Sequence, residues 1–268
     1  ETASLSASDG GPQDKFGISV AISGDNIIIG AYKDSLNTGS AYVFTKSGPV
    51  WATMTEVAKI KPSDGASDDS FGSAVCISAN KIIVGSEGHD DNGTNQGSVY
   101  SYIKPGISWF SNFETEKATP PSYYSNPTSM YGFGVDIDGN YAVIGAHGYF
   151  NTRGKAYVLF YDGVNWSTIA QLTASDGETN DMFGFSVAIS GNDIVVGAYR
   201  DDDLGSNSGA AYVFTKPLGG WVDMIETAKL NASDGAINDM FAYSVDISAD
   251  QIVVGASGDD YNGNVSGS

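Results

Sequence analysis

The sequence predicts an all-β fold, a β-propeller of four-stranded antiparallel blades, about five of them in this chain. Three observations carry that prediction. A Phe-Gly step at Phe16-Gly17 returns at Phe71-Gly72, Tyr131-Gly132, Phe183-Gly184 and, altered, Phe241-Ala242. A second step follows each by 14 residues, at Gly30-Ala31, Gly85-Ser86, Gly145-Ala146, Gly197-Ala198 and Gly255-Ala256. The repeats start 55, 60, 52 and 58 residues apart and are filled with short β-prone runs. A period of that size built from strands means a propeller or an array.

The fourth repeat shows the elements in order. Strand 1 is predicted at FSVAIS, strand 2 at DIVVGA, strand 3 at AAYVFT and strand 4 near ETAKL. Each is short and rich in Val, Ile, Tyr and Phe. Strand 2 is apolar on both faces, as a blade packed between two others requires. Between strands 1 and 2 stand Gly24-Asp25, Ala79-Asn80, Gly139-Asn140, Gly191-Asn192 and Ala249-Asp250, which suit tight hairpins with positive φ. All 4 tryptophans, Trp51, Trp109, Trp166 and Trp221, lie nine residues after Tyr42, Tyr100, Tyr157 and Tyr212. A residue used once per repeat at a fixed offset is a packing element.

The chain reads as one propeller domain or segment, 1–268, with repeats starting near 16, 71, 131, 183 and 241. ETASLSASDG at its start matches ETAKLNASDG at 226–235, so 1–10 is expected to be strand 4 of a closing blade. Four blades are complete and the fifth lacks strand 3. An unpaired edge is a liability. Three arrangements answer it: a window from a longer, seven-bladed propeller, a five-bladed ring with one thin blade, or strand pairing with another chain or a missing segment.

Composition narrows function. The net charge is −19 on only 17% charged residues, which argues against nucleic acid and anionic membrane partners. The single cysteine, Cys76, replaces Ala21 and Ala188 of other repeats and reads as a packed side chain. No apolar run approaches a membrane span of about 20 residues, so no membrane insertion is expected. No signal-peptide pattern opens the chain, and any export signal is expected to have been removed or to lie outside this stretch.

With five copies of the Phe-Gly and Gly-Ala steps, the chain resembles the FG-GAP repeat family, the β-propellers that include the head of integrin α subunits. The resemblance implies an extracellular or cell-surface recognition and adhesion module. Integrin-type repeats hold calcium in a DxDxDGxxD loop between strands 1 and 2. That hairpin is too short here in every repeat, so the family's calcium site is not carried over.

Variation concentrates in the loops between strands 2 and 3 and between strand 4 and the next strand 1. In a meander blade both emerge on one face, and together they hold 19 of the 32 acidic residues. That face is expected to be negative. The long 2–3 loops share Asp90, Asp202 and Asp260, flanked by Asp91, by Asp201 and Asp203, and by Asp259. Clustered carboxylates with glycines are what Ca²⁺ asks for, and also what turns capped by Asp side chains look like. The 4–1 loops pair Asp9 with Asp14, Asp64 with Asp69, Asp176 with Asp181, and Asp234 with Asp239. Repeat 3 breaks the pattern. Its 4–1 loop, TPPSYYSNPTSM, has no acid, and His147, Tyr149, Phe150 and Arg153 follow strand 2. With Tyr123 and Tyr124 they form a candidate ligand site, for a glycan or an extracellular protein.

Catalytic sets are weak. There are 2 histidines, His89 and His147, and no HExxH, GxSxG, P-loop or paired Cys ligands. Carboxylate pairs abound, and Asp136 and Asp246 fall on strand 1 where Ala21 and Ala188 sit in other repeats, a register expected to face the central funnel in which five-bladed glycosidases keep their acid and nucleophile. The expectation is a non-enzymatic, secreted or surface-exposed binding module, calcium-assisted or not. Its alternative is a structural repeat segment of a larger surface protein or filament.

Overall fold

The computed structural model describes residues 3–91, 94–111, 113–121, 128–260 and 266–268. Four blades are four-stranded antiparallel meanders. Blade 1 comprises Val20–Ser23, Asn26–Ala31, Ser40–Thr45 and Ala58–Ile60. Blade 2 comprises Phe71–Ser78, Lys81–Ser86, Ser98–Ile103 and Glu116–Ala118. Blade 3 comprises Val135–Asp138, Tyr141–Ala146, Lys155–Tyr161 and Trp166–Thr173, and blade 4 Ser186–Ser190, Asp193–Ala198, Ala210–Thr215 and Ala228–Leu230. Blade 5 has Phe241–Ser248 paired with Gln251–Ala256. First strands of successive blades pack on one another, so they form the inner wall of the arc.

The two repeated steps are one blade-to-blade contact seen from its two sides. A Cβ on Gly30 would stand 2.0 Å from the Gly72 carbonyl oxygen of the next blade, and one on Gly85 would stand 1.9 Å from that of Gly132. Gly145 meets Gly184 and Gly197 meets Ala242 in the same way. Only a residue without Cβ lets the backbones approach this closely.

The core is a stack of layers between blades. Ile28, Val43 and Ile60 of blade 1 bury against Val75 and Ile77 of blade 2. Val143, Val158 and Leu172 of blade 3 bury against Val187 and Ile189 of blade 4. Each such side chain contributes about 1.5–3 kcal/mol on burial. Trp109, Trp166 and Trp221 are buried, in keeping with a packing role. Cys76 is buried too, and burial pushes its thiol well above the usual range.

The two ends of the arc differ from its interior. Val20 and Ile22 of blade 1 are 64% and 62% exposed, while Val75 and Ile77, in the same register of blade 2, are 7% exposed. Val253 of blade 5 is 69% exposed, against 0% for Val195 of blade 4. Beside Gln251–Ala256, Ser268 N–H donates to Ala256 O at 3.0 Å and Ala256 N–H to Ser268 O at 2.9 Å. The segment Leu5–Ser6 pairs in parallel with Met54–Thr55 of blade 1, as Leu172–Thr173 of blade 3 pairs with Met224–Ile225 beside blade 4. Among the described strands it makes no sheet with blade 5.

Candidate functional site

On the face where the 2–3 and 4–1 loops meet, a lysine from strand 4 stands among their carboxylates. Lys229 Nζ lies 2.8 Å from Asp176, 2.9 Å from Asp201 and 2.5 Å from Asp203. Lys117 Nζ lies 2.7 Å from Asp64 and 2.5 Å from Asp91, with His89 Nε2 at 2.7 Å. Lys59 Nζ lies 2.6 Å from both Asp9 and Asp34. The strand-3 tyrosine lies under each ammonium and donates its hydroxyl to the same 4–1 carboxylate: Tyr42 to Asp9, Tyr100 to Asp64, Tyr212 to Asp176. Burial would raise Asp34, but hydrogen bonds from Lys59 and Ser40 outweigh it and hold the carboxyl at about 2. Burial likewise works against the charged Lys59 and Lys229, and their carboxylates outweigh it, so both ammonium groups are held above their ordinary range.

Six other acids of these loops hold turns. Asp69, Asp181 and Asp239 each accept the N–H three residues back, from Ala66 at 2.8 Å, Glu178 at 2.5 Å and Ala236 at 2.6 Å. Asp14 does the same for Gly11. Asp90 accepts from Asn95 N at 2.6 Å, and Asp202 from Asn207 N at 2.9 Å. The carboxylates expected to hold a metal therefore fall into three groups. Asp91, Asp201 and Asp203 face a lysine, and Asp90 and Asp202 hold their own loops. Asp259 and Asp260 lie with Asp239 in a group whose oxygens are all within 4.8 Å of one another. The two strands of blade 5 carry no lysine.

Blade 3 lacks this arrangement because Gln171 stands where the lysine would be and no acid precedes it in the 4–1 loop. Its 2–3 loop turns sharply through left-handed residues, Phe150 (φ 46°), Asn151 (φ 56°) and Thr152 (φ 60°). Such conformations are costly for residues with a Cβ, and this run leaves Phe150 61% exposed. Lys155 Nζ donates to Gln171 Oε1 at 2.9 Å and lies 4.5 Å from the Tyr149 ring centre. Burial lowers Lys155, opposed by the charge of Asp223. Tyr149, Phe150, Arg153, Lys155 and Thr173 line a cavity of about 300 Å³. The structure thus brings together three of the expected residues and adds Lys155. Tyr123 and Tyr124 lie outside the described residues.

His147 is not part of that cavity. It directly follows the Gly-Ala step, in register with Tyr32, Glu87 and Tyr199, on the inner side of the arc. Its ring packs on Phe133 at 4.3 Å and Phe185 at 5.4 Å, and Phe185 in turn packs on Tyr199 and Tyr243. His147 is 6% exposed, its Nδ1 has no partner among the described residues, and burial, with the Arg200 charge, lowers it to about 4. Glu87 and Ser73 face a second cavity, of about 230 Å³, with Ile18, Tyr32 and Phe133. The sequence reading missed Glu87 and the three lysines. Their signals were a lone acid in a register that holds rings in three other repeats, Tyr32, His147 and Tyr199, and a lysine recurring at one position of strand 4.

Asp136 and Asp246 each accept backbone hydrogen bonds on strand 1 of their blades. Asp136 accepts from Ile137 N and, across the blades, from Ile189 N, both at 2.8 Å. Asp246 accepts from Ile247 N.

With that geometry in place, comparison with known proteins gives the class. The FG-GAP repeat family matches residues 1–44, 54–102, 166–214 and 224–268. The chain belongs to the FG-GAP repeat family, and its fold is a propeller of about five blades built from those repeats. The longest unmatched stretch, 103–165, contains the cavity-forming loop of blade 3. No curated protein matches the chain. No helix among the described residues is long and apolar enough to cross a membrane.

Proposed function

We propose that this chain is an extracellular recognition module, not an enzyme, and that it binds a glycan or an extracellular protein through blade 3. The observation that carries the reading is the 300 Å³ cavity at Tyr149, Phe150, Arg153 and Lys155. It stands, in one blade, where a lysine sits among carboxylates in blades 1, 2 and 4, and its aromatic and basic lining contrasts with the wholly acidic lining of the cavity of about 290 Å³ beside the blade 4 cluster. Exposed aromatic faces beside cationic donors suit a sugar ring or a peptide bearing acidic groups. Donor atoms gather within 4.8 Å at Asp64, His89 and Asp91, at Asp176, Asp201 and Asp203, and at Asp239, Asp259 and Asp260, and since Lys117 and Lys229 stand in the first two groups, calcium, where it assists, belongs at the third.

Glycan and peptide arrays probed with the wild type, Tyr149→Ala and Arg153→Ala test this. Binding that both variants weaken at least tenfold supports it, and blank arrays of both kinds remove it. A structural repeat in a larger surface assembly is the second reading. The exposed blade faces at Val20, Ile22 and Val253 favour it.

A further inference from the structure

Glu87 stands apart from the other acids of the loop face. Hydrogen bonds or lysines hold the carboxylates of blades 1, 2 and 4 described above, whereas Glu87 Oε2 is buried without a partner among the described residues. Ser73 Oγ, from strand 1 of the same blade, is in the same condition. Both line the 230 Å³ cavity that Tyr32 and Ile18 of blade 1 and Phe133 of blade 3 complete. Three blades therefore converge on one carboxyl group, with two aromatic rings beside it and a hydroxyl within the same wall. No lysine or arginine is among the lining residues.

A buried carboxylate without a counter-ion is costly. Burial accordingly raises Glu87 to about 7. The titratable groups around it do not neutralise it. Lys33 is exposed and lies over the Tyr32 ring at 5.6 Å. His89, two residues along, is tied to Asp69 and Asp91. His147, beyond Phe133, is held neutral near pH 7 by its own burial. The net charge of −19 adds a field that draws cations and repels anions.

We propose that this inner cavity is a binding site for an organic ammonium group, with Glu87 as its counter-ion and Tyr32 and Phe133 as its aromatic walls. A desolvated cation over aromatic faces is attracted by the negative faces of the rings. A carboxylate in the same cavity selects charge over shape. Ser73 supplies a hydrogen-bond acceptor for a primary ammonium, which a quaternary one does not need. The site is distinct from the blade 3 cavity and does not depend on it.

The test is calorimetry of the intact chain with choline, n-butylammonium and 3,3-dimethylbutan-1-ol, the neutral counterpart of choline, with chelator present throughout. The expected result is binding of at least one cation and none of the alcohol. Affinity should rise about tenfold between pH 6 and pH 8, as the carboxyl ionises. Glu87→Gln should lower affinity at least tenfold while leaving the fold intact, since it removes only a charge. Ser73→Ala should weaken n-butylammonium and leave choline unchanged. Equal binding of the alcohol, a flat pH profile, unchanged affinity in Glu87→Gln, or no binding of either cation at millimolar concentration would each overturn the assignment.

Discussion

Each lysine of the loop face neutralises several carboxylates, so its removal should cost more than an ordinary surface pair. Asp201 is 3% exposed and faces Lys229 with Asp176 and Asp203. Removing one partner of a buried pair leaves an uncompensated charge. Lys229→Ala is therefore expected to destabilise the chain by about 2–4 kcal/mol in urea unfolding, and Lys46→Ala, whose partner Asp25 is 62% exposed, by less than about 1 kcal/mol. Equal effects would mean that the cluster is no more than a surface arrangement. Acid titration separates two further groups. Asp34, held at about 2, contributes stability that is present above its ordinary value near 3.8 and is lost as pH falls through 2. Glu87, raised to about 7, works the other way. The folded state holds its proton more tightly, so that stabilisation fades as pH rises from about 4.5 to 7. His147, lowered to about 4, opposes Glu87 over part of that window. Glu87→Gln should consequently gain stability relative to wild type on going from pH 5 to pH 8, by up to about 2 kcal/mol. Chemical denaturation at the two pH values reads the difference directly.

Among the elements, the strands were legible and the loops only half so. DIVVGA and AAYVFT appear as strands at the residues expected, Asp193–Ala198 and Ala210–Thr215, because β-branched and aromatic runs bounded by Gly-Asn turns leave little choice. Strand 4 is shorter than ETAKL suggests, Ala228–Leu230, with Met224–Ile225 standing as a separate parallel bridge. Loop acids were harder to assign. A carboxylate that caps an N–H, one that meets a lysine and one that meets a metal look alike in one dimension. Asp90, Asp91 and Asp260 differ only in what folds next to them. The same limit hid the inner cavity, since Ile18, Glu87 and Phe133 come from three different repeats and meet only when the blades stack. The loops themselves give a prediction. Blades 1, 2 and 4 carry a lysine among their acids, so any calcium effect on melting should come from blade 5 alone. Asp260→Asn should abolish a calcium-dependent rise in Tm that Asp203→Asn leaves in place. The same rise lost in both variants would move the ion to the lysine-containing loops.

At the scale of the whole molecule, the four inner blade contacts repeat one geometry, and the ends of the arc show its two halves uncovered. Gly30 meets the Gly72 carbonyl of the next blade, whereas a Cβ on Gly255 would meet only its own blade's Ser244, with Oγ nearest at 2.6 Å. At the other end Gly17 has nothing within 4 Å of an added Cβ. Blade 5 thus presents the bare glycine surface, and blade 1 the Val20 and Ile22 knobs that would sit on such a surface. The two glycines in equivalent positions therefore report whether the end faces stay open in solution. Gly30→Ala forces a Cβ against a backbone carbonyl that cannot swing aside, and should cost about 2 kcal/mol or more. Gly255→Ala meets a hydroxyl that can rotate, and should cost less than about 1 kcal/mol while blade 5 remains uncovered. Comparing the two midpoints at low and high protein concentration distinguishes the possibilities. A Gly255→Ala loss that stays small at both supports the open arc. A loss as large as that of Gly30→Ala at every concentration would show that blade 1 closes onto blade 5 within the chain. A loss that appears only at high concentration would show a second copy seated on that face, head to tail.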